Sequence, residues 1–171
     1  MAQRVVVVPG RMFGPFSPLL LYASLVFEAR GGAIQPVSWD PPDDADAEWV
    51  RAQALPAVER HRATLIVGKS LGSNAATIAA ERDLPGIWLT PLVLDEVVAG
   101  ALRAAKAPQL LIGGTADPLW DGAVARALSP HVHEVDGADH GLLIPGAPLA
   151  RSAEVLGGVS TAVEHFADHI L

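Results

Sequence analysis

Short runs of apolar, mostly β-branched residues recur along the chain, separated by longer stretches rich in alanine and leucine. The first run, Arg4–Val8, predicts a buried strand ended by Pro9-Gly10. Pro18 to Arg30 predicts a helix with Ser17 at its cap and Pro18 in its first turn, stopped by Gly31-Gly32. Ala33–Ser38 predicts a second strand. Asp46 to His61 predicts a second helix, which Pro56 should kink or split. A third strand is expected at Ala63–Val67, a helix of small residues at Leu71–Arg82, a fourth strand at Gly86–Leu89 and a helix at Leu94–Ala105. Gln109–Ile112 comes next as a fifth strand, Leu119–Leu128 as a helix, Val132–Val135 as a sixth strand and Val159–Ile170 as the last helix. The Gly/Pro-rich stretch Pro145–Gly158 reads as a loop and a candidate mobile flap.

Alternation of strand and helix predicts the α/β class: a three-layer α/β/α sandwich around a mainly parallel sheet of about six strands. Right-handed crossovers then bring the carboxyl ends of the strands to one edge, where sites collect. No repeat, linker or low-complexity segment breaks the pattern, so residues 1–171 are expected to form a single domain.

Composition narrows the chemistry. Half of the 171 residues are hydrophobic, but only 5% are aromatic, so the core must be aliphatic. Twelve basic residues face nineteen acidic ones, a net charge of −7, and no basic patch stands out. Nucleic-acid binding is therefore not expected. The acids concentrate in Asp40–Glu48, which reads as a solvated turn and helix start. There are no cysteines, which excludes disulfides, thiolate metal sites and a cysteine nucleophile. The N-terminus shows no basic region followed by a long apolar stretch, and no apolar run approaches a membrane span. A cytoplasmic location without membrane contact is expected.

Gly68-Lys69-Ser70-Leu71-Gly72 matches G-x-S-x-G. The match gains weight from its setting, directly after an apolar strand and directly before an Ala-rich helix. A nucleophile elbow needs that setting, because the turn is too tight for bulk on either side of the serine. Two other readings compete. Ser70 could simply cap a helix. Gly68-Lys69-Ser70 also resembles the end of a phosphate loop, but that motif needs glycine where Ala63 stands and a flexible loop where the strand lies. Lys69 places a charge beside the serine, to attract acidic substrates or to point to solvent.

A serine nucleophile needs a base, and the base needs an orienting carboxylate. Asp117 lies just beyond the fifth strand, and His140 lies in the loop beyond the sixth. Both project toward the edge that carries Ser70. Asp117 could be only a helix cap before Pro118, or cap and acid together. Asp95 is a rival acid after the fourth strand, and Asp139, adjacent to His140, reads as a loop hydrogen-bonder. Among the other histidines, His131 and His133 lie in or beside a strand, and His61 ends a helix. His165 and His169 could share a helix face but lack a third metal ligand. No metal and no cofactor is expected.

Acyl transfer also needs backbone N–H donors for the oxyanion. Leu71 should supply one, and Arg11 or Met12, after Gly10, the other. Phe13, Trp120 and Leu142 are candidate pocket walls, with ordinary core as the competing reading for each.

Taken together, Gly10-Arg11-Met12, the Ser70 pentapeptide, Asp117 and His140 resemble the α/β-hydrolase family over nearly the full length. The resemblance implies the α/β-hydrolase fold without a cap domain, since only about twenty residues separate the fourth and fifth strands. The usual His-Gly of the oxyanion loop is Pro9-Gly10 here. The implied activity is serine hydrolysis of a small ester, thioester or amide through an acyl-Ser70 intermediate. A non-catalytic binding module on the same fold, or acyl transfer or C–C hydrolysis on the same triad, stand as alternatives. The expected partner is a small-molecule substrate; a homodimer stays open.

Overall fold

Six parallel strands and six α-helices alternate along the chain in a computed structural model that describes residues 2–170. The strands are β1 (Arg4–Val8), β2 (Ala33–Pro36), β3 (Leu65–Lys69), β4 (Gly86–Leu89), β5 (Gln109–Gly114) and β6 (His131–Val135). The helices are α1 (Pro18–Glu28), α2 (Ala47–His61), α3 (Ala76–Glu81), α4 (Glu96–Ala104), α5 (Gly122–Leu128) and α6 (Leu149–Ile170). The sheet order is β2-β1-β3-β4-β5-β6. The chain starts near the centre, moves to one edge, then returns past β1 and builds outward to β6. That reversal between β1 and β3 is the switch point where ligands bind in open parallel sheets.

Both faces of the sheet are covered, which is why its central strands carry the apolar runs Val5–Val8, Leu65–Val67, Ile87–Leu89 and Leu110–Ile112. Val5 and Val7 of β1 pack with Leu20 and Phe27 of α1 and Val159, Val163 and Phe166 of α6. Val6 and Val8 point the other way, to Val50 and Ala54 of α2, Ile78 of α3, Val98 of α4 and Ala125 of α5. The period-two alternation of one valine run therefore builds two cores. Among the described residues no helix is long and apolar enough to cross a membrane.

Several boundaries differ from expectation, each for a local reason. Helix α2 runs unbroken through Pro56. The proline is exposed, so the carbonyl it leaves without an N–H partner lies on the solvent side, where water can satisfy it. Strand β3 begins at Leu65, because Arg62 closes α2 in the left-handed conformation and the Ala63 N–H bonds back to the Val58 carbonyl at 2.9 Å. After Ser70 the chain first winds as a 3₁₀ turn, Ser70–Ala75, before α3. Helix α5 starts at Gly122 because Asp121 caps the Ala123 and Val124 N–H groups.

The largest difference is the C-terminal segment. Helix α6 begins at Leu149, ten residues before the expected start, so most of Pro145–Gly158 is helix and not a flap. Gly157 and Gly158 sit inside it. Ser152, Val155, Val159, Val163 and Phe166 fall at helical spacing and are buried. Their burial against the sheet outweighs the roughly 1 kcal/mol that each glycine costs a helix.

Candidate active site

The site forms where β3 ends. Ser70 holds φ at 50°, a left-handed conformation that a non-glycine residue adopts only under constraint. The constraint comes from both sides. A Cβ on Gly68 would sit 2.7 Å from the Trp88 ring, and one on Gly72 would sit 2.6 Å from the Pro9 carbonyl. The two glycines let the turn press against β4 and against the loop after β1, and the press turns Ser70 outward.

His140 lies between the serine and a buried carboxylate. Its Nε2 is 2.7 Å from Ser70 Oγ and its Nδ1 is 2.7 Å from Asp117 Oδ2. The Asp117 side chain is fully buried, and its other oxygen accepts the Leu119 N–H at 2.9 Å. Asp117 therefore orients the ring and closes its own turn, while the cap of α5 falls to Asp121. The three residues follow the ends of β3, β5 and β6, so the parallel sheet brings their loops to one edge and the loops complete the approach of positions 70, 117 and 140. A serine Oγ facing an imidazole nitrogen whose other nitrogen meets a carboxylate is an arrangement that can move a proton from hydroxyl to ring.

The rival acid is occupied elsewhere: Asp95 Oδ1 accepts the Val97 and Val98 N–H groups and caps α4. Asp139 braces the His140 loop, with its Oδ1 accepting from Gly141 and Leu143. That loop turns through Gly137 at φ 70° and Leu142 at φ 56°. His131, His133, His165 and His169 gather instead around a cavity between β6 and α6. Burial pushes His131 and His133 below the ordinary histidine range, and for His131 the neighbouring His169 adds to the effect.

The loop after β1 is pinned beside the serine. The Gly10 N–H donates to the Phe13 carbonyl at 3.1 Å, and the Gly10 carbonyl accepts from the Trp39 indole at 3.0 Å. Arg11 donates to the Pro42 and Ala45 carbonyls at 2.5 and 3.4 Å. A cavity of about 560 Å³ opens over Ser70 and Leu71, bordered by Arg11, Leu92, Val97 and Leu119. Met12 is 89% exposed and does not border it. A second cavity, about 340 Å³, lies behind Phe13 and Leu142 against the first turns of α6.

Two expectations are corrected. Trp120 is not a pocket wall. Its ring packs under β5 at Gly113, and its indole N–H donates to Glu134 at 2.7 Å. Lys69 neither points to solvent nor faces the open cavity. It is fully buried, with Nζ 3.0 Å from Thr90 Oγ1, 3.1 Å from the His140 carbonyl and 4.6 Å from the centre of the Phe13 ring. A signal for this lies in the strand period. Leu65 and Val67 point to the α1/α6 core, and Lys69 comes next on the same face. Burial lowers its pKa from 10.5 to about 8, partly offset by the carboxylates of Asp117 and Asp139.

No profile of a protein family matches the sequence, and no curated protein matches it either. Solved structures do. A protein from Xanthomonas campestris pv. campestris, given as a hydrolase of the alpha/beta superfamily, superposes with a TM-score of 0.68 at 19% identity, covering 98% of this chain and 99% of its own. Est1E from Butyrivibrio proteoclasticus, with ferulic acid bound, gives 0.72 at 14% identity over 97% of this chain and 88% of its own. A monoacylglycerol lipase from Paleococcus ferrophilus gives 0.65 at 15% identity, covering 92% and 94%. These likenesses establish the α/β-hydrolase fold. Between β4 and β5 the chain makes only α4, so that fold carries no cap at this position.

Proposed function

From the α/β-hydrolase fold and the Ser70–His140–Asp117 chain, we propose that the protein is a serine hydrolase of small esters, thioesters or amides. The observation that carries this reading is the pair of 2.7 Å contacts joining Ser70, His140 and Asp117, with Ser70 held in a left-handed elbow.

In the proposed reaction the substrate carbonyl enters the cavity over Ser70. His140 Nε2 takes the hydroxyl proton as Oγ bonds to the carbonyl carbon. Asp117, already on Nδ1, stabilises the imidazolium that forms. The carbonyl oxygen becomes an oxyanion. Leu71 is the proposed first donor, a reading supported by its place in the first turn after Ser70, where N–H groups have no partner within the turn. Arg11 is the better second donor: the Gly10 N–H is occupied by Phe13, and Arg11 borders the cavity while Met12 does not. The C–O, C–S or C–N bond then breaks and the leaving group takes the proton from Nε2. Water attacks the acyl-Ser70 with His140 again as base, releasing the acid and restoring the hydroxyl. No step calls for a cofactor.

The open cavity and the single helix between β4 and β5 favour small or flexible substrates. A fluorophosphonate probe should label Ser70, and Ser70→Ala should abolish turnover of p-nitrophenyl acetate or butyrate. Undiminished turnover in that variant would overturn the proposal. Absence of labelling and of turnover in the wild-type chain would instead favour a binding module on this fold.

A further inference from the structure

Lys69 is spent on the site and on nothing else. The ammonium makes two hydrogen bonds and one cation–π contact, each to a different segment. Thr90 Oγ1 at the end of β4 lies at 3.0 Å, the carbonyl of His140 at 3.1 Å, and the face of Phe13 at 4.6 Å. Thr90 is itself fully buried and held at φ 43°, an unfavourable backbone for a β-branched residue. The side chain thus joins the nucleophile strand, the strained end of the next strand, the base loop and the loop after β1. A buried charge is costly, and an apolar residue of similar size would fill the same space.

Resting on the hydrolase reading above, we propose that Lys69 is a positioning residue whose ammonium clamps the His140 loop to the end of β4, so that Nε2 stays on Ser70 Oγ. It touches no reacting atom. It acts through the backbone of the base. A neutral amine binds a carbonyl more weakly than an ammonium does and has no cation–π attraction for Phe13. The clamp therefore loosens as Lys69 loses its proton. The ionised groups that act on it are the carboxylates of Asp117 and Asp139, and both favour the charged form. The alkaline limit of turnover accordingly lies near the Lys69 pKa of about 8.

The test is the pH profile of p-nitrophenyl butyrate hydrolysis, corrected for the uncatalysed reaction. In the wild-type chain kcat should fall above pH about 8 while KM changes little. Lys69→Met should lower kcat about 10- to 100-fold at neutral pH, as expected for a misplaced catalytic group, and the residual activity should show no alkaline limb. Thr90→Val keeps the branched shape and removes one acceptor from the ammonium, so the limb should move to lower pH. The chain has no cysteine, so Lys69→Cys can be alkylated with 2-bromoethylamine in the unfolded state and refolded. The restored amine is less basic than lysine, and activity should return with a limb at lower pH. A purely structural lysine would change stability and leave the limb in place. An alkaline limb that survives in Lys69→Met, or kcat within twofold of wild type, overturns the proposal. If wild-type turnover is absent, the hydrolase reading has failed and the clamp is judged separately by amide hydrogen exchange. Gly141, Leu142 and Leu143 should lose protection in Lys69→Met while β3 and β5 keep theirs, and unchanged protection there overturns the clamp by itself.

Discussion

Non-glycine residues in the left-handed conformation occur at both edges of the sheet, with φ between 43° and 56°. Arg62 and Asp83 lie at the amino-end edge, just before β3 and β4. Both are exposed, and each comes after a helix that it helps to end. Ser70, Thr90 and Leu142 lie at the carboxyl-end edge, where Thr90 and Leu142 are buried and Ser70 lines a cavity. The same dihedral angle serves a chain reversal on one edge and a constellation of polar groups on the other. Backbone strain alone does not mark a site. Among the described residues the two edges differ in buried charge: Lys69 and Asp117 are buried at the carboxyl-end edge, whereas Arg62 and Asp83 at the other are exposed.

The largest difference between the edges should appear at Ser70. Ser70→Ala and His140→Ala should each lower kcat/KM roughly 10⁴-fold or more, and Asp117→Asn about 10³- to 10⁴-fold, with little change in melting temperature for Ser70→Ala. Steady-state kinetics and a thermal melt on each variant check this. Loss of stability without loss of turnover would reduce the carboxyl-end edge to the status of the other.

Next in size is the effect of the buried ammonium on stability. Below pH about 8 Lys69 is charged in both folded and unfolded states, and the folded state carries its desolvation cost in full. From about 8 to 10.5 the folded side chain is neutral while the unfolded one still holds its proton. The unfolded state then binds more protons, so stability rises with pH over that window and levels off above it. A shift of this size corresponds to about 3 kcal/mol. Urea unfolding at pH 7.5 and 10.5 should show that gain for wild type relative to Lys69→Met.

The third test exchanges strain between edges. Asp83→Gly relieves a left-handed residue at the amino-end edge and should change stability by less than about 1 kcal/mol, with activity intact. Leu142→Gly relieves the same conformation in the His140 loop but removes a buried side chain. It should cost about 2–4 kcal/mol and lower kcat/KM about tenfold or more. Equal behaviour of the two variants would erase the distinction. No kinetic effect is expected at Trp120→Phe, which loses the bond to Glu134. It should cost about 1 kcal/mol and leave kinetics unchanged, because the ring supports β5 from below and not the cavity.

Much of the fold is legible in one dimension. Val5 to Val8, Leu65 to Val67 and Leu110 to Ile112 are apolar because a sheet covered on both faces demands it, so strand number and class emerge from the pattern. Ser70, Asp117 and His140 each lie just beyond such a run, and parallel strands deliver the residues beyond their carboxyl ends to one edge. Trp120 is not legible in this way, because position after a strand does not say whether a side chain turns over the edge or folds back beneath it; the acceptor on Glu134 and the space at Gly113 decide. The start of α6 is hidden because Gly157, Gly158 and the nearby prolines weigh against helix locally, whereas the face running from Ser152 to Phe166 acquires its value only against the sheet.

Ser70 and its neighbour Lys69 fall on opposite sides of this division. The amino-acid sequence by itself indicated the α/β class, a mainly parallel sheet of about six strands and Ser70, Asp117 and His140 as candidates beyond strand ends, because periodicity and turn residues act locally. Only the tertiary structure decided that Lys69 is buried, that Asp95 is spent on a helix cap and that Arg11 and not Met12 borders the cavity. A charge at the end of a strand can lie in water or under a neighbouring loop, and which occurs depends on acceptors supplied by residues 90 and 140, distant in the chain and adjacent only in the fold.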